Sequence, residues 1–184
     1  MNRFRNFIAL TSAIIALAVV SVPARSIKDD TKQAGKTIEQ QIDHELRMLN
    51  HYGIFDHITY QVNGSTVTLD GKVYTLSTKR DAAAAIKRIP GVTSVVNNID
   101  ELPPSSFDDQ IRRQALRTFE SRGLGRYLWE TNPDVRIIVE NGHITLEGYV
   151  ANSGDFNAMN IFANGITNVF SVTNNLKIGK PEKS

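Results

Sequence analysis

The chain has 184 residues, with 21 Lys+Arg against 19 Asp+Glu and no cysteine. Its 41% hydrophobic and 22% charged residues suit a globular protein and exclude fibrous or largely disordered classes. Without cysteine there are no disulfide staples, no thiolate metal site and no thiol catalysis.

The amino terminus reads as an export signal. Arg3 and Arg5 precede an apolar run from Phe7 to Val22, and Val22-Pro23-Ala24 offers small residues for a cut after Ala24. The alternatives are an uncleaved anchor or a core helix, but a 16-residue run falls short of the roughly 20 needed to span a bilayer. In either case the arginines hold the cytoplasmic side. This signal, residues 1–24, contains two arginines and no acid, so the mature chain has 19 basic against 19 acidic residues. A chain with no net positive charge lacks the overall attraction that nucleic-acid binders use, which argues against that partner. No cysteine follows the cut to accept a lipid, so the mature chain is expected to be soluble and periplasmic.

Beyond the signal the chain repeats itself. A shift of 77 residues lays Thr68–Asn98 on Thr145–Asn175 without a gap, with ten identities that include Leu69/Leu146, Gly71/Gly148, Val92/Val169 and Asn97/Asn174. Each copy reads as helix, strand, strand, helix, strand. In the first, Thr37 and Gln40 form a capping box, and Ile38, Ile42, Leu46 and Leu49 share one helical face. Strands over 58–62 and 67–73 flank the Asn63-Gly64 turn. Thr78 then caps a helix with Ala82, Ala85, Ile86 and Ile89 inward, and Pro90-Gly91 ends it before a strand over 92–99.

The segment from Asp100 to Ser106 has a linker's composition, with the linker proper at 102–106. In the second copy Asp108 or Asp109 caps a helix with Ile111, Ala115 and Phe119 inward. Strands over 135–139 and 144–150, a helix over 155–166 and a strand over 169–178 follow, and residues 180–184 form a disordered tail. Gly91 is replaced by Asn168, and both types tolerate a left-handed backbone, so a shared positive-φ helix exit is expected. Gly71 and Gly148 interrupt the second strand at the same place, where a missing side chain lets a helix or neighbouring backbone come close. Units of about 70 residues are marginally stable alone, so the two are expected to pack together.

Two spaced patterns carry a family resemblance. Val67-x-Leu69-x-Gly71-x-Val73, then Gly91-Val92-x-x-Val95-x-Asn97, resembles a BON domain; Ile144-x-Leu146-x-Gly148-x-Val150, then Val169-x-x-Val172-x-Asn174, repeats it. Asn168 departs from the family's usual glycine. The copies, 36–101 and 107–179, cover nearly all of the mature chain. The resemblance implies an α+β fold of two tandem αββαβ modules, each a three-stranded mixed sheet with two helices on one face. It also implies a periplasmic or outer-membrane place, no cofactor, and a role in binding phospholipid surfaces or supporting envelope integrity and stress tolerance. Some relatives are chaperones of exported proteins. Some tandem relatives are soluble and others lipid-anchored, and this chain resembles the soluble form.

The candidate binding residues lie at the start of the second copy. Arg112, Arg113, Arg117, Arg122 and Arg126 are interleaved with Phe119, Leu124, Tyr127, Leu128 and Trp129, the single tryptophan, and one acid, Glu120. Basic residues beside aromatics suit an anionic lipid headgroup layer, where each arginine contributes about 1 kcal/mol and Trp and Tyr favour that depth. The competing reading is that arginines late in a helix complement its dipole while Tyr127 to Trp129 belong to the core. The alternative function is a chaperone or protein-interaction module that uses a free sheet edge. His44 and His51, seven residues apart, do not match helical metal-ligand spacing; His57 beside Asp56 reads as a turn pair and His143 starts a strand. No catalytic motif and no metal site is expected, and oligomeric state is not written in the sequence.

Overall fold

The computed structural model describes residues 37–128 and 133–179, so the signal, Trp129 and the predicted tail lie outside the described residues. In the first module, α1 (Ile38–Arg47), β1 (His57–Asn63), β2 (Thr66–Val73), α2 (Leu76–Lys87) and β3 (Ser94–Glu101) follow in order. β1 runs antiparallel to β2, and β2 pairs parallel with β3. The second module repeats this with α3 (Ser106–Ser121), β4 (Val135–Glu140), β5 (His143–Val150), α4 (Ser153–Asn164), β6 (Ser171–Asn174) and β7 (Lys177–Ile178). β4 is antiparallel to β5, while β6 and β7 both pair parallel with β5. The molecule is therefore α+β: two mixed sheets in tandem, each with its helices packed against it.

Each module has its own core. Ile42, Leu46, Val67, Leu69, Val73, Ala82, Ile86 and Ile99 fill the first. Ile111, Ala115, Phe119, Ile137, Ile144, Leu146 and Met159 fill the second. Most are helical and alternating positions read from the sequence, because burial of apolar surface selects one stripe of a helix and one face of a strand, while Met159 and Ile99 are added by the structure.

The capping box is present: Thr37 accepts the Gln40 N–H and the Gln40 side chain accepts the Thr37 N–H. Three other helix starts are corrected. Thr75, not Thr78, caps α2; it is extended and accepts the Thr78 N–H, while Thr78 is buried one turn in. Ser105, not Asp108 or Asp109, caps α3 by accepting the Asp108 N–H. Asn152 caps α4, which begins at Ser153 and not at Asp155. A cap needs an extended backbone as well as a side-chain oxygen, and composition alone does not locate that backbone.

The expected strand over 169–178 is interrupted, and β6 and β7 meet the same neighbour on either side of Asn175–Leu176. Asn174 sits at the break: its Oδ1 accepts the Leu176 N–H and its amide donates to the Phe156 carbonyl. Asn97 does the same in the first module, toward the Ile99 N–H and the Lys79 carbonyl. The repeated asparagine thus ties the last strand to the helix before it.

Gly91 and Asn168 both hold positive φ, at 93° and 68°, as expected for a shared helix exit. Gly71 and Gly148 have φ of 131° and 113°, and a Cβ on either would overlap the carbonyl oxygen of His57 or Asp134. Of the two close approaches expected there, it is the neighbouring backbone that comes in.

The modules pack on one another, as the size argument expects. The linker is short, and Leu102 within it is buried with its N–H on the Val73 carbonyl. Ile54 and Phe55, from the loop before β1, pack against the core of the second module. The Ile54 carbonyl accepts the Ile137 N–H at 2.8 Å, which covers the outer edge of β4.

Candidate functional site

α3 forms because Ile111, Ala115 and Phe119 repeat at helical spacing behind the Ser105 cap, with Asp108 and Asp109 in the first turn. The same 3.6-residue period divides its arginines. Arg113 and Arg117 fall on the exposed side and have no ion pair among the described residues. Arg112, about 100° around the helix from Arg113, turns toward the first module and is 2% exposed. It donates to Asp109 at 2.7 Å and to the Val139 carbonyl at 2.5 Å, and its guanidinium lies 4.8 Å from the Tyr74 ring of the first module. Arg112 is therefore an interior tether and leaves the outward set.

After the helix, Arg122 is exposed and lies over the Phe162 ring at 5.1 Å. Arg126 is exposed but bonded to Asp155 at 2.7 Å and to the Gly123 carbonyl. Tyr127 is buried, as the competing reading has it; its hydroxyl donates to Asp155 at 2.6 Å and accepts the Ala151 N–H. The bond from Tyr127 is the first cause holding the Asp155 carboxyl below its usual range, followed by Arg126. Trp129 is outside the described residues. Of the seven residues singled out, Arg113 and Arg117 remain as an open basic face, while Arg122 is exposed at the end of the helix beside α4.

Two acids in the first turn of the helix are engaged by other groups, while Glu120, near its end, is half-buried. Asp108 is fully buried and accepts the N–H groups of Asn141 and Gly142, at 2.9 and 2.7 Å. Asp109 is engaged by Arg112 and by the Tyr74 hydroxyl.

The module junction holds a second polar group. Arg136, the second residue of β4, is buried; it donates to the Gly53 carbonyl at 2.5 Å and lies 4.2 Å from the Tyr52 ring. Burial lowers its pKa, against the favourable fields of Tyr52 and Asp56. Lys72 pairs with Glu140 across the same junction, and His57 faces Glu147 at 3.9 Å. Burial pulls His57 below the ordinary histidine range, with Glu147 opposing and Arg136 reinforcing. Asp56 is buried and accepts the N–H groups of Gly53 and Tyr74, while burial raises its carboxyl. A cleft of about 230 Å³ opens beside this group, lined by Asp43, Arg47, Tyr60, Arg136 and Tyr149 among others. Its opposed charges are balanced, so it shows no preference for an anion or a cation.

The sequence reading missed Arg136, although an arginine inside Val135-Arg-Ile-Ile-Val139 is a visible anomaly. His44 and His51 are exposed, and among the described residues no group of three potential ligands is placed to hold a metal ion. Among the same residues, no helix is long and apolar enough to cross a membrane.

Comparison with solved structures finds two of CdsD, a structural protein of the type III secretion system of Chlamydia trachomatis. One is 13% identical and covers 79% of this chain and 93% of that one, with a TM-score of 0.32. The other, its C-terminal domain, is 12% identical and covers 79% and 98%, with a TM-score of 0.31. These likenesses are too distant to bear on function. No curated protein matches the chain. The BON domain model matches twice, over residues 35–103 and 108–180, once for each module. The chain belongs to the BON domain family, whose domains are in general binding modules and not catalysts.

Proposed function

We infer that this protein is exported to the periplasm and binds anionic phospholipid surfaces through the outer side of α3, in support of envelope integrity. The observation that carries the reading is the placement of Arg113 and Arg117 outward without ion pairs among the described residues, while Asp108 is buried and Asp109 is engaged by Arg112 and Tyr74. Family membership is in keeping with it, since BON domains are associated with phospholipid binding in the envelope. The face offers two cations, Arg113 and Arg117. At about 1 kcal/mol each, they give roughly a thirtyfold preference for an anionic over a neutral surface, which salt screens.

The test is co-sedimentation of residues 25–184, which include every described residue, with phosphatidylcholine vesicles with and without phosphatidylglycerol, at low and high salt. Binding to the anionic vesicles alone, weakened by salt and lost in Arg113→Glu with Arg117→Glu, is the expected result. Absence of binding at low salt rejects the reading. It shifts weight to a chaperone or protein-interaction role, for which the outer edge of β3, unpaired among the described residues, is the available feature.

A further inference from the structure

The second module carries an aromatic tip that the basic face does not account for. Phe170, between α4 and β6, is 69% exposed, the highest value for a large hydrophobic residue among the described residues. Its ring stacks on Phe107 in the first turn of α3, with centroids 5.9 Å apart, and meets His143 edge-on at 5.8 Å.

The tip is held in place from below. A Cβ on Gly142 would come within 2.6 Å of the Phe170 ring, so the β4–β5 turn has its glycine where the ring lies over it. The buried Asp108 carboxylate fastens that turn to the start of α3 through the Asn141 and Gly142 N–H groups.

The fold itself does not require a ring at this place. In the first module the equivalent residues are Ser65 and Thr93, and the Thr93 N–H meets the Ser65 carbonyl at 2.8 Å. The Phe170 N–H meets the Gly142 carbonyl at the same 2.8 Å. The backbone bond is thus common to both copies. The first copy covers it with a hydroxyl pair, Ser65 Oγ to Thr93 Oγ1 at 2.7 Å, and the second with a phenyl ring. A lone exposed apolar residue is ordinary. A ring that is stacked, accommodated by a glycine and absent from the twin module calls for an apolar partner.

Charge indicates which partner. Phe107 stands on the helix that bears Arg113 and Arg117, six and ten residues further on, or about 9 and 15 Å along the axis. An apolar anchor at one end of an unpaired cationic face matches the boundary between acyl chains and anionic headgroups. We propose that Phe170, backed by Phe107, enters that boundary while Arg113 and Arg117 contact the phosphates beside it. The proposal rests on the lipid-facing reading of α3 and adds to it the apolar contact that salt does not screen.

The chain has no cysteine, so Phe170→Cys carries one environment-sensitive fluorophore, with Thr93→Cys as the twin-module control. On vesicles containing phosphatidylglycerol, the label at 170 is expected to shift to the blue and the label at 93 to stay water-like. Phe170→Thr, which copies the first module and keeps the backbone bond, is expected to weaken binding about tenfold with unchanged thermal unfolding. It should also abolish the part of binding that survives high salt. If the unlabelled protein binds these vesicles while the label at 170 stays water-like and Phe170→Thr binds as well as the parent, the anchor is overturned and the basic face stands. If the unlabelled protein does not bind, both fall together. If Phe170→Thr loses retention of an envelope protein but not of vesicles, the ring serves a protein partner and the anchor is overturned.

Discussion

β1 and β4 hold the same place in their modules, yet one is a half-buried strand and the other is covered on both faces. In β1, Ile58 is buried while Thr59 and Gln61 are exposed. In β4 the equivalents of Thr59 and Gln61 are Arg136 and Ile138, and both are buried along with Val135, Ile137 and Val139. The first module supplies part of the cover through Tyr52 and Gly53 and caps the β4 edge through Ile54. The comparison teaches that inward positions and special backbone sites are shared by the copies because each must close its own core. Outward positions are where the copies took different work: one to dock, the other to be docked upon.

The largest expected effect tests the shared part. Gly71→Ala and Gly148→Ala each force a Cβ against a carbonyl at positive φ, and each should cost about 3 kcal/mol or more. Urea unfolding would read this, and a loss below about 1 kcal/mol in either module would break the equivalence of the two sites.

A smaller effect tests the divergent part. Arg136→Met removes the bond to Gly53 and the Tyr52 contact, and it should cost about 2–4 kcal/mol and split one unfolding transition into two. Thr59→Ala, at the same strand position on an exposed site, should change stability by less than about 0.5 kcal/mol. Comparable losses from the two substitutions, with a single transition kept, would mean that the junction does not couple the modules.

The smallest effect concerns the tips. Placing the aromatic tip on the first module, by Ser65→Gly with Thr93→Phe, should change affinity for anionic vesicles by less than about twofold. There α1 exposes Glu39 and has Asp43 and Glu45 half-buried beside the exposed Arg47, so the ring lacks a cationic face. A gain of tenfold would show that a ring suffices without arginines and would sharpen the division of work between the copies.

The sequence by itself determined the repeat, the helix–strand order of each copy, the first module's core stripe and the family, because burial period and glycine at strained backbone are local demands that recur at fixed spacing. It named the stretch that holds the basic face but not which of its arginines stay outside. Arg112 and Arg113 are neighbours in sequence about 100° apart around α3, and only the Tyr74 ring and Val139 carbonyl of other elements give Arg112 an interior place. Phe170 was likewise unreadable as a site, and Arg136 was visible as an anomaly but not as a junction residue. One is exposed and one buried against the habit of its residue type, and solvent exposure is set by what other elements bring near. Tertiary structure alone decided that: the first module's loop covers β4, and nothing among the described residues covers Phe170.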